Sequence, residues 1–278
     1  MTQNNIKIKL SNVTLNIEEY ASSSSAKDYI FFFHGFTGSS HDWDEIIPSL
    51  HPNFQIIAID LIGHGKSYSP EDLSFYTAES VIEQIHQSVL YFTNNPVIIV
   101  GYSMGGRASL SFAAKYPQLL KGLILESVNA GIIEENLQRE RTMQDEKLAE
   151  FIETHPLEEF VDYWMNISLF NSQKNLPKEK LKRVKELKLK NSKIGLANSI
   201  RAFSTGKMPP LINDIKNITT KTLLISGELD LKYTGTNAEL VKIFPAADHI
   251  IIKNAGHNVH LEQPLSFIKV INGFLNKF

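Results

Sequence analysis

Val97-Ile98-Ile99-Val100, an apolar β-branched run, leads directly into Gly101-Tyr102-Ser103-Met104-Gly105 and then into a helix-forming segment, residues 107–116, closed by Pro117. No other stretch restricts the fold as strongly. Such a run reads as a strand buried on both faces. A small-x-Ser-x-Gly turn at its end reads as a nucleophile elbow, in which a serine oxygen projects from the top of a parallel sheet. Gly101 and Gly105 let strand and helix approach around the strained turn. The pentapeptide alone arises by chance in many chains, and its flanking strand and helix make it specific.

The same alternation continues on either side. Residues 6–10 and 13–19 read as an opening hairpin that turns at Ser11-Asn12, and residues 22–25 as a polar connecting loop. Residues 29–33 and 54–59 read as buried strands with a helix near 43–50 between them, 74–92 as a helix and 122–125 as the next strand. Strands alternating with helices predict an α/β fold with a mostly parallel sheet covered on both faces. From about residue 134 to 210, apolar residues recur at helical spacing and no strand pattern appears. Residues 222–226 and 249–252 resume the strands, and 261–278 reads as a closing helix. The expected organisation is a core of residues 1–133 and 211–278 with a helical cap of 134–210 inserted. Between Lys174 and Lys207 the cap carries many lysines and arginines against only Glu179 and Glu186. Most of these read as a solvated helix face, with a few free to point inward and receive anions.

Composition narrows the function classes. A chain of 278 residues can bury a large single core, and a net charge of -2 gives no basis for a nucleic-acid or membrane partner. The absence of cysteine excludes disulfides, thiolate nucleophiles and cysteine-ligated zinc, and suits a reducing cytoplasm. The first residues are polar, unlike a secretory signal, and no apolar run approaches the roughly 18 residues of a membrane span. A cytoplasmic protein, monomeric or a small homo-oligomer, is the expectation.

A serine hydroxyl is a poor nucleophile or base until a histidine takes its proton, and the histidine needs a carboxylate to hold its tautomer. Two further segments repeat the strand-then-loop design of the elbow. Residues 222–226 run into Gly227-Glu228-Leu229-Asp230, and 250–252 run into Lys253-Asn254-Ala255-Gly256-His257. Catalytic groups of open α/β sheets gather beyond the carboxyl ends of strands, so Ser103, Asp230 and His257 are expected on one edge. Any one of them alone reads as a polar loop residue. Glu228 is the rival acid, and His260 reads as structural. Phe31-Phe32-Phe33-His34-Gly35-Phe36 ends another strand, and the loop after it would supply the Phe36 N–H beside the Met104 N–H as an oxyanion hole. His34, Asp60 and His64 read as turn-stabilising.

His34-Gly35-Phe36, Asp60 through Gly65, the elbow, Gly227 to Asp230 and Gly256-His257 resemble the α/β-hydrolase superfamily across nearly the whole chain. Gly101 through Arg107 followed by Leu123-Ile124-Leu125-Glu126-Ser127 resembles, more narrowly, the 2-succinyl-6-hydroxy-2,4-cyclohexadiene-1-carboxylate synthase family of menaquinone biosynthesis. Phe160-Val161-Asp162-Tyr163-Trp164, Leu169-Phe170 and Ser204 through Pro209 are similar to that family's cap.

The resemblance implies an elimination without metal or other cofactor. Ser103, activated by His257 and Asp230, would remove a ring proton from a polycarboxylate small molecule, and pyruvate would leave. Tyr102, Arg107, Arg141, Trp164 and Lys188 would bind the substrate, with Arg139 a competitor of Arg141. Guanidinium forks match carboxylates. The chain departs from the family at Val128-Asn129-Ala130-Gly131, at Ile62, and at Lys188, where an arginine is usual. A serine hydrolase of a small ester, thioester or carbon–carbon bond is the alternative, and a non-catalytic receptor is a third reading.

Overall fold

The structure is a computed structural model that describes residues 2–21 and 28–278, so the loop expected at 22–25 lies outside the described residues. Among the described residues the strands are β1 (Thr2–Lys9), β2 (Thr14–Ala21), β3 (Asp28–Phe33), β4 (Phe54–Ile59), β5 (Val97–Tyr102), β6 (Leu120–Glu126), β7 (Thr222–Gly227) and β8 (Ala247–Ile252). They form one sheet in the order β1-β2-β4-β3-β5-β6-β7-β8. Pairs β1–β2 and β2–β4 are antiparallel and all others parallel. Every residue of β5 is buried, as a strand covered on both faces requires. Along β3, Phe31 and Phe33 enter one apolar cluster and Ile30 and Phe32 the other, because successive side chains leave a strand on opposite faces.

Helices α1 (Ala78–Phe92), α2 (Met104–Lys115), α3 (Glu135–Thr154), α4 (Leu157–Met165), α5 (Lys178–Lys188), α6 (Lys193–Ala202), α7 (Ile212–Ile215), α8 (Leu231–Leu240), α9 (Val259–Glu262) and α10 (Pro264–Leu275) complete the order. Four expected elements differ in detail. The helix near 43–50 is a pair of 3-10 turns, Ser40–Trp43 and Ile47–Ser49, because Pro48 has no N–H with which to continue an α-helix. The helix expected from 74 starts at Ala78, where the Thr77 hydroxyl caps it by accepting the Ser80 N–H. The closing helix is broken into α9 and α10 at Pro264. Helix α2 begins at Met104, directly after the serine, rather than at Arg107.

Helices α3 to α6 form the insert between β6 and β7, with a 3-10 segment, Ser168–Asn175, before α5. Ala149, Ile152, Phe160, Val161, Leu196, Ala197 and Ile200 give the insert an apolar centre of its own. It docks on the core through backbone contact. A Cβ on Gly195 of α6 would lie 2.1 Å from the Gly63 carbonyl oxygen, so no larger residue fits there.

Helix α5 is held differently, since none of its residues is fully buried. Lys180 pairs with Glu45 at 2.6 Å and Arg183 with Asp44 at 2.8 Å, tying the helix to the turn after β3. Lys185 pairs with Asp162 at 2.7 Å within the insert. Lys180, Arg183 and Lys185 therefore meet the protein's own carboxylates. Exposed pairs contribute about 0–1 kcal/mol each. The Lys180→Ala/Arg183→Ala variant is accordingly expected to keep its Tm within a few degrees while α5 amides exchange with deuterium faster; unchanged exchange would contradict this electrostatic attachment.

Candidate active site

The turn between β5 and α2 places Ser103 at φ 50° and ψ -105°, a left-handed region that costs a non-glycine residue energy. Neighbouring bonds hold it there. The Ser103 N–H donates to the Glu126 carbonyl at 2.9 Å, and the Gly105 N–H to the His34 carbonyl at 3.0 Å. A Cβ on Gly105 would lie 2.3 Å from the Phe33 carbonyl oxygen, so glycine is needed for the helix to start this close to β3.

Three side chains from three strand ends meet in a line. His257 Nε2 lies 3.0 Å from Ser103 Oγ, and His257 Nδ1 lies 2.7 Å from Asp230 Oδ2. His257 and Asp230 are 1% and 7% exposed, which shields the pair from competing water. Asp230 caps α8, its Oδ1 accepting the Tyr233 N–H at 3.2 Å, and this leaves Oδ2 aimed at the imidazole. Nδ1–H is the donor in this arrangement, and Nε2 is free to accept the serine proton. Glu228, the rival acid, is exposed and accepts the Asn254 N–H instead. His260 is buried on Glu126, with its Nδ1 2.7 Å from Oε2.

Phe36 and Met104 line the same cavity, and neither backbone N–H has an acceptor among the described residues. His34 keeps the Phe36 loop in place: its Nε2 accepts the Leu61 N–H at 3.0 Å and its Nδ1 donates to the Gly35 carbonyl at 2.8 Å. The Asp60 carboxylate accepts the N–H groups of Ser40 and Lys66 at 2.6 and 2.9 Å, closing the adjoining turn. Burial, followed by the nearby His34, lowers the His64 pKa to about 3, so this ring is neutral.

The cavity measures about 470 Å³ and is roofed by the insert. Tyr102, Arg107, Arg141 and Trp164 all line it. Trp164 stands edge-on to Phe36 at 5.2 Å, and its buried indole N–H has no partner among the described residues. Tyr102 is 5% exposed, and burial raises its phenol pKa well above the ordinary value, so it serves as a neutral hydroxyl. Arg141 donates to Asp145 at 2.7 Å, while Arg139 points away to pair with Glu135. Lys188 is not brought into the lining: its ammonium donates to Thr37 Oγ1 at 2.8 Å, on the loop after β3. Tyr233 and Lys232 are lining residues that sequence reasoning missed, although their place just after Asp230 puts them on the same sheet edge. The Tyr233 ring packs 4.5 Å from that of His257.

Arg107 is the electrostatic anomaly of the site. It is 7% exposed, and among the described residues no carboxylate lies within ion-pair distance of it. Its guanidinium contacts Met208 Sδ at 3.7 Å and the Phe203 ring face at 5.3 Å, weak compensation for lost water. Burial lowers its pKa from the ordinary guanidinium range to about 10. Because the folded value lies below the unfolded one, charge burial costs stability at every pH below about 10, and the cost fades only as pH climbs from there towards the ordinary guanidinium range. That cost is on the order of 3 kcal/mol. A bound anion would remove it.

The chain belongs to the alpha/beta hydrolase fold family, whose profile matches residues 28–264. Within that family it is similar to a Bacillus subtilis (strain 168) protein provisionally named 2-succinyl-6-hydroxy-2,4-cyclohexadiene-1-carboxylate synthase. The two are 39% identical over 90% of this chain and 91% of that protein. The synthase of that name from Enterobacter sp. (strain 638) is 28% identical over 85% of this chain and 87% of its own length. Among solved structures, MenH from S. aureus superposes with a TM-score of 0.90 at 30% identity, covering 94% of this chain and 98% of that one.

Replacing Arg107 with methionine is expected to leave Tm at pH 7 equal to or above that of the wild type, while weakening binding of a carboxylated ligand at least about tenfold. Calorimetry and ligand titration read the two effects. A lower Tm with unchanged affinity would make Arg107 an ordinary packing residue.

Proposed function

We propose that this protein is a carbon–oxygen lyase of menaquinone biosynthesis. It eliminates pyruvate from 2-succinyl-5-enolpyruvyl-6-hydroxy-3-cyclohexene-1-carboxylate to give 2-succinyl-6-hydroxy-2,4-cyclohexadiene-1-carboxylate. The observation that carries the reading is the buried, carboxylate-free Arg107 beside a serine already hydrogen-bonded to an Asp230-supported histidine. A general serine hydrolase has no need of such a cation, whereas a polycarboxylate substrate does. The similarity to the synthases supports the same assignment.

In this reading Ser103 Oγ takes the ring proton as its own proton passes to His257 Nε2, and Asp230 stabilises the resulting imidazolium. The C–H electron pair becomes a new ring double bond, the existing ring double bond shifts by one position towards the carbon that bears the enolpyruvyl group, the carbon–oxygen bond there breaks, and the departing enolate takes up a proton to become pyruvate. The N–H groups of Phe36 and Met104 hold the negative charge that develops before departure. Arg107 and Arg141 take substrate carboxylates, Tyr102 offers its hydroxyl, and Trp164 covers the ring and presents its unpaired N–H. Residues 134–210 serve as the cap that shapes this pocket. Lys188 acts at one remove, holding the Thr37 loop rather than the substrate.

The test is pyruvate release from the enolpyruvyl precursor by the wild type and by Ser103→Ala. Release that falls by about 10³-fold or more in the variant, with the fold intact, is the expected result. No release above the spontaneous rate by folded wild type would overturn the lyase reading. An acyl-enzyme burst on an activated ester would then favour the hydrolase alternative. Biological activity that survives Ser103→Ala would favour a receptor.

A further inference from the structure

Glu126, the last residue of β6, is fully buried, yet it touches neither the cavity nor any member of the Ser103–His257–Asp230 line through its side chain. Its bonds reach both sides of that line. The main-chain carbonyl accepts the Ser103 N–H at 2.9 Å, which helps hold the strained turn. The carboxylate Oε1 accepts the N–H groups of Val259 and His260 at 2.6 and 3.1 Å, and Oε2 faces His260 Nδ1 at 2.7 Å. Val259 and His260 follow His257 by two and three residues and open α9, so the carboxylate seizes the start of the helix that ends the histidine loop.

We propose that Glu126 is a positioning residue that sets the distance between the proton donor and its acceptor, Ser103 Oγ and His257 Nε2. The inference rests on the reading of Ser103 and His257 as the proton-transfer pair. One rigid residue anchors the turn that carries one atom and the loop that carries the other, so the 3.0 Å separation does not depend on the loop's own stiffness. The neighbouring contacts reinforce the clamp. Ser127 leaves β6 at φ 50° and donates its N–H to the Ile225 carbonyl, fixing the strand end against β7. Glu262 accepts the Gly256 N–H at 2.7 Å, pinning the loop just before His257. The His260 ring lies against Trp43 at 4.2 Å, and its Nε2 is buried without a partner. The imidazole therefore has one polar anchor among the described residues, the carboxylate. A buried carboxylate with three N–H donors is well satisfied, and loss of its charge forces the group to choose between them.

Glu126→Gln preserves shape while breaking that choice. Its oxygen can serve the two backbone N–H groups, but its amide hydrogens then face His260 Nδ1 and force the ring onto the other tautomer, whose Nε2–H is buried against Trp43 without an acceptor among the described residues. Val259→Pro attacks the clamp from the other side, removing one N–H at the first position of α9, where proline suits a helix. The readouts are kcat and KM for pyruvate release, and the rate and pH dependence of Ser103 phosphonylation by an activated organophosphonate, on protein shown folded by near-ultraviolet circular dichroism. Glu126→Gln is expected to lower kcat and the phosphonylation rate about 10- to 100-fold and Val259→Pro about 3- to 10-fold, with KM within about threefold and the midpoint of the phosphonylation pH profile shifted. Wild-type phosphonylation rates and an unchanged pH profile in either folded variant, even with a lowered Tm, would overturn the proposal. Phosphonylation reads Glu126 even if the wild type releases no pyruvate, so failure of the lyase reading is distinguishable from failure of this one.

Discussion

The strained backbone at Ser103 is the constraint on which the rest of the site depends. A serine at φ 50° persists only because the surrounding structure over-determines it: β5 is buried along its whole length, α2 starts at the next residue, and a glycine lets that helix touch β3. The strain lifts the hydroxyl clear of the sheet edge, where His257 and the Phe36 loop can both reach it. Helix α2 then aims its first unpaired N–H, that of Met104, at the same space. A looser turn would leave the hydroxyl, the amide and the histidine as three unrelated polar groups.

Electrostatics of the core and of the insert follow different rules. Within the core, Arg107 is buried with no carboxylate within ion-pair distance among the described residues, and burial lowers its pKa, which marks a cost to stability. On the insert, α5 has abundant charge and spends it on Glu45, Asp44 and Thr37. The first arrangement leaves a buried cation lining the cavity with no carboxylate within ion-pair distance among the described residues, and the second fastens a polar helix to the turn after β3. Counting basic residues points to the charge-rich helix, yet Lys180, Arg183 and Lys185 there are paired with carboxylates, whereas Arg107 is not.

What the sequence made legible is what lies directly after an apolar strand. Ser103, Asp230, His257 and Phe36 each follow such a run, so strand pattern and chain order were enough to put them on one edge. Elements without a clean period were harder to read. Gly105 and Gly106 resemble a turn but begin α2, and Thr234, Gly235 and Thr236 mask α8 because their helical preference is low. Pro48 and Pro264 broke helices that periodicity alone would have extended. Partners were least legible of all. Glu45 is 135 residues from Lys180 in the chain, and only the folded insert brings them together. The same applies to Lys188, whose contact with Thr37 spans 151 residues.

The central claim is that Ser103 acts as a base towards carbon and not as an acylated nucleophile. The direct measurement uses substrate deuterated at the ring carbon that loses its proton, with intact-protein mass spectrometry on samples quenched during turnover. The account predicts a primary isotope effect on kcat/KM that accompanies pyruvate release, with no mass added to the enzyme. A covalent adduct on Ser103 that forms and decays at the turnover rate, with no isotope effect, would contradict it.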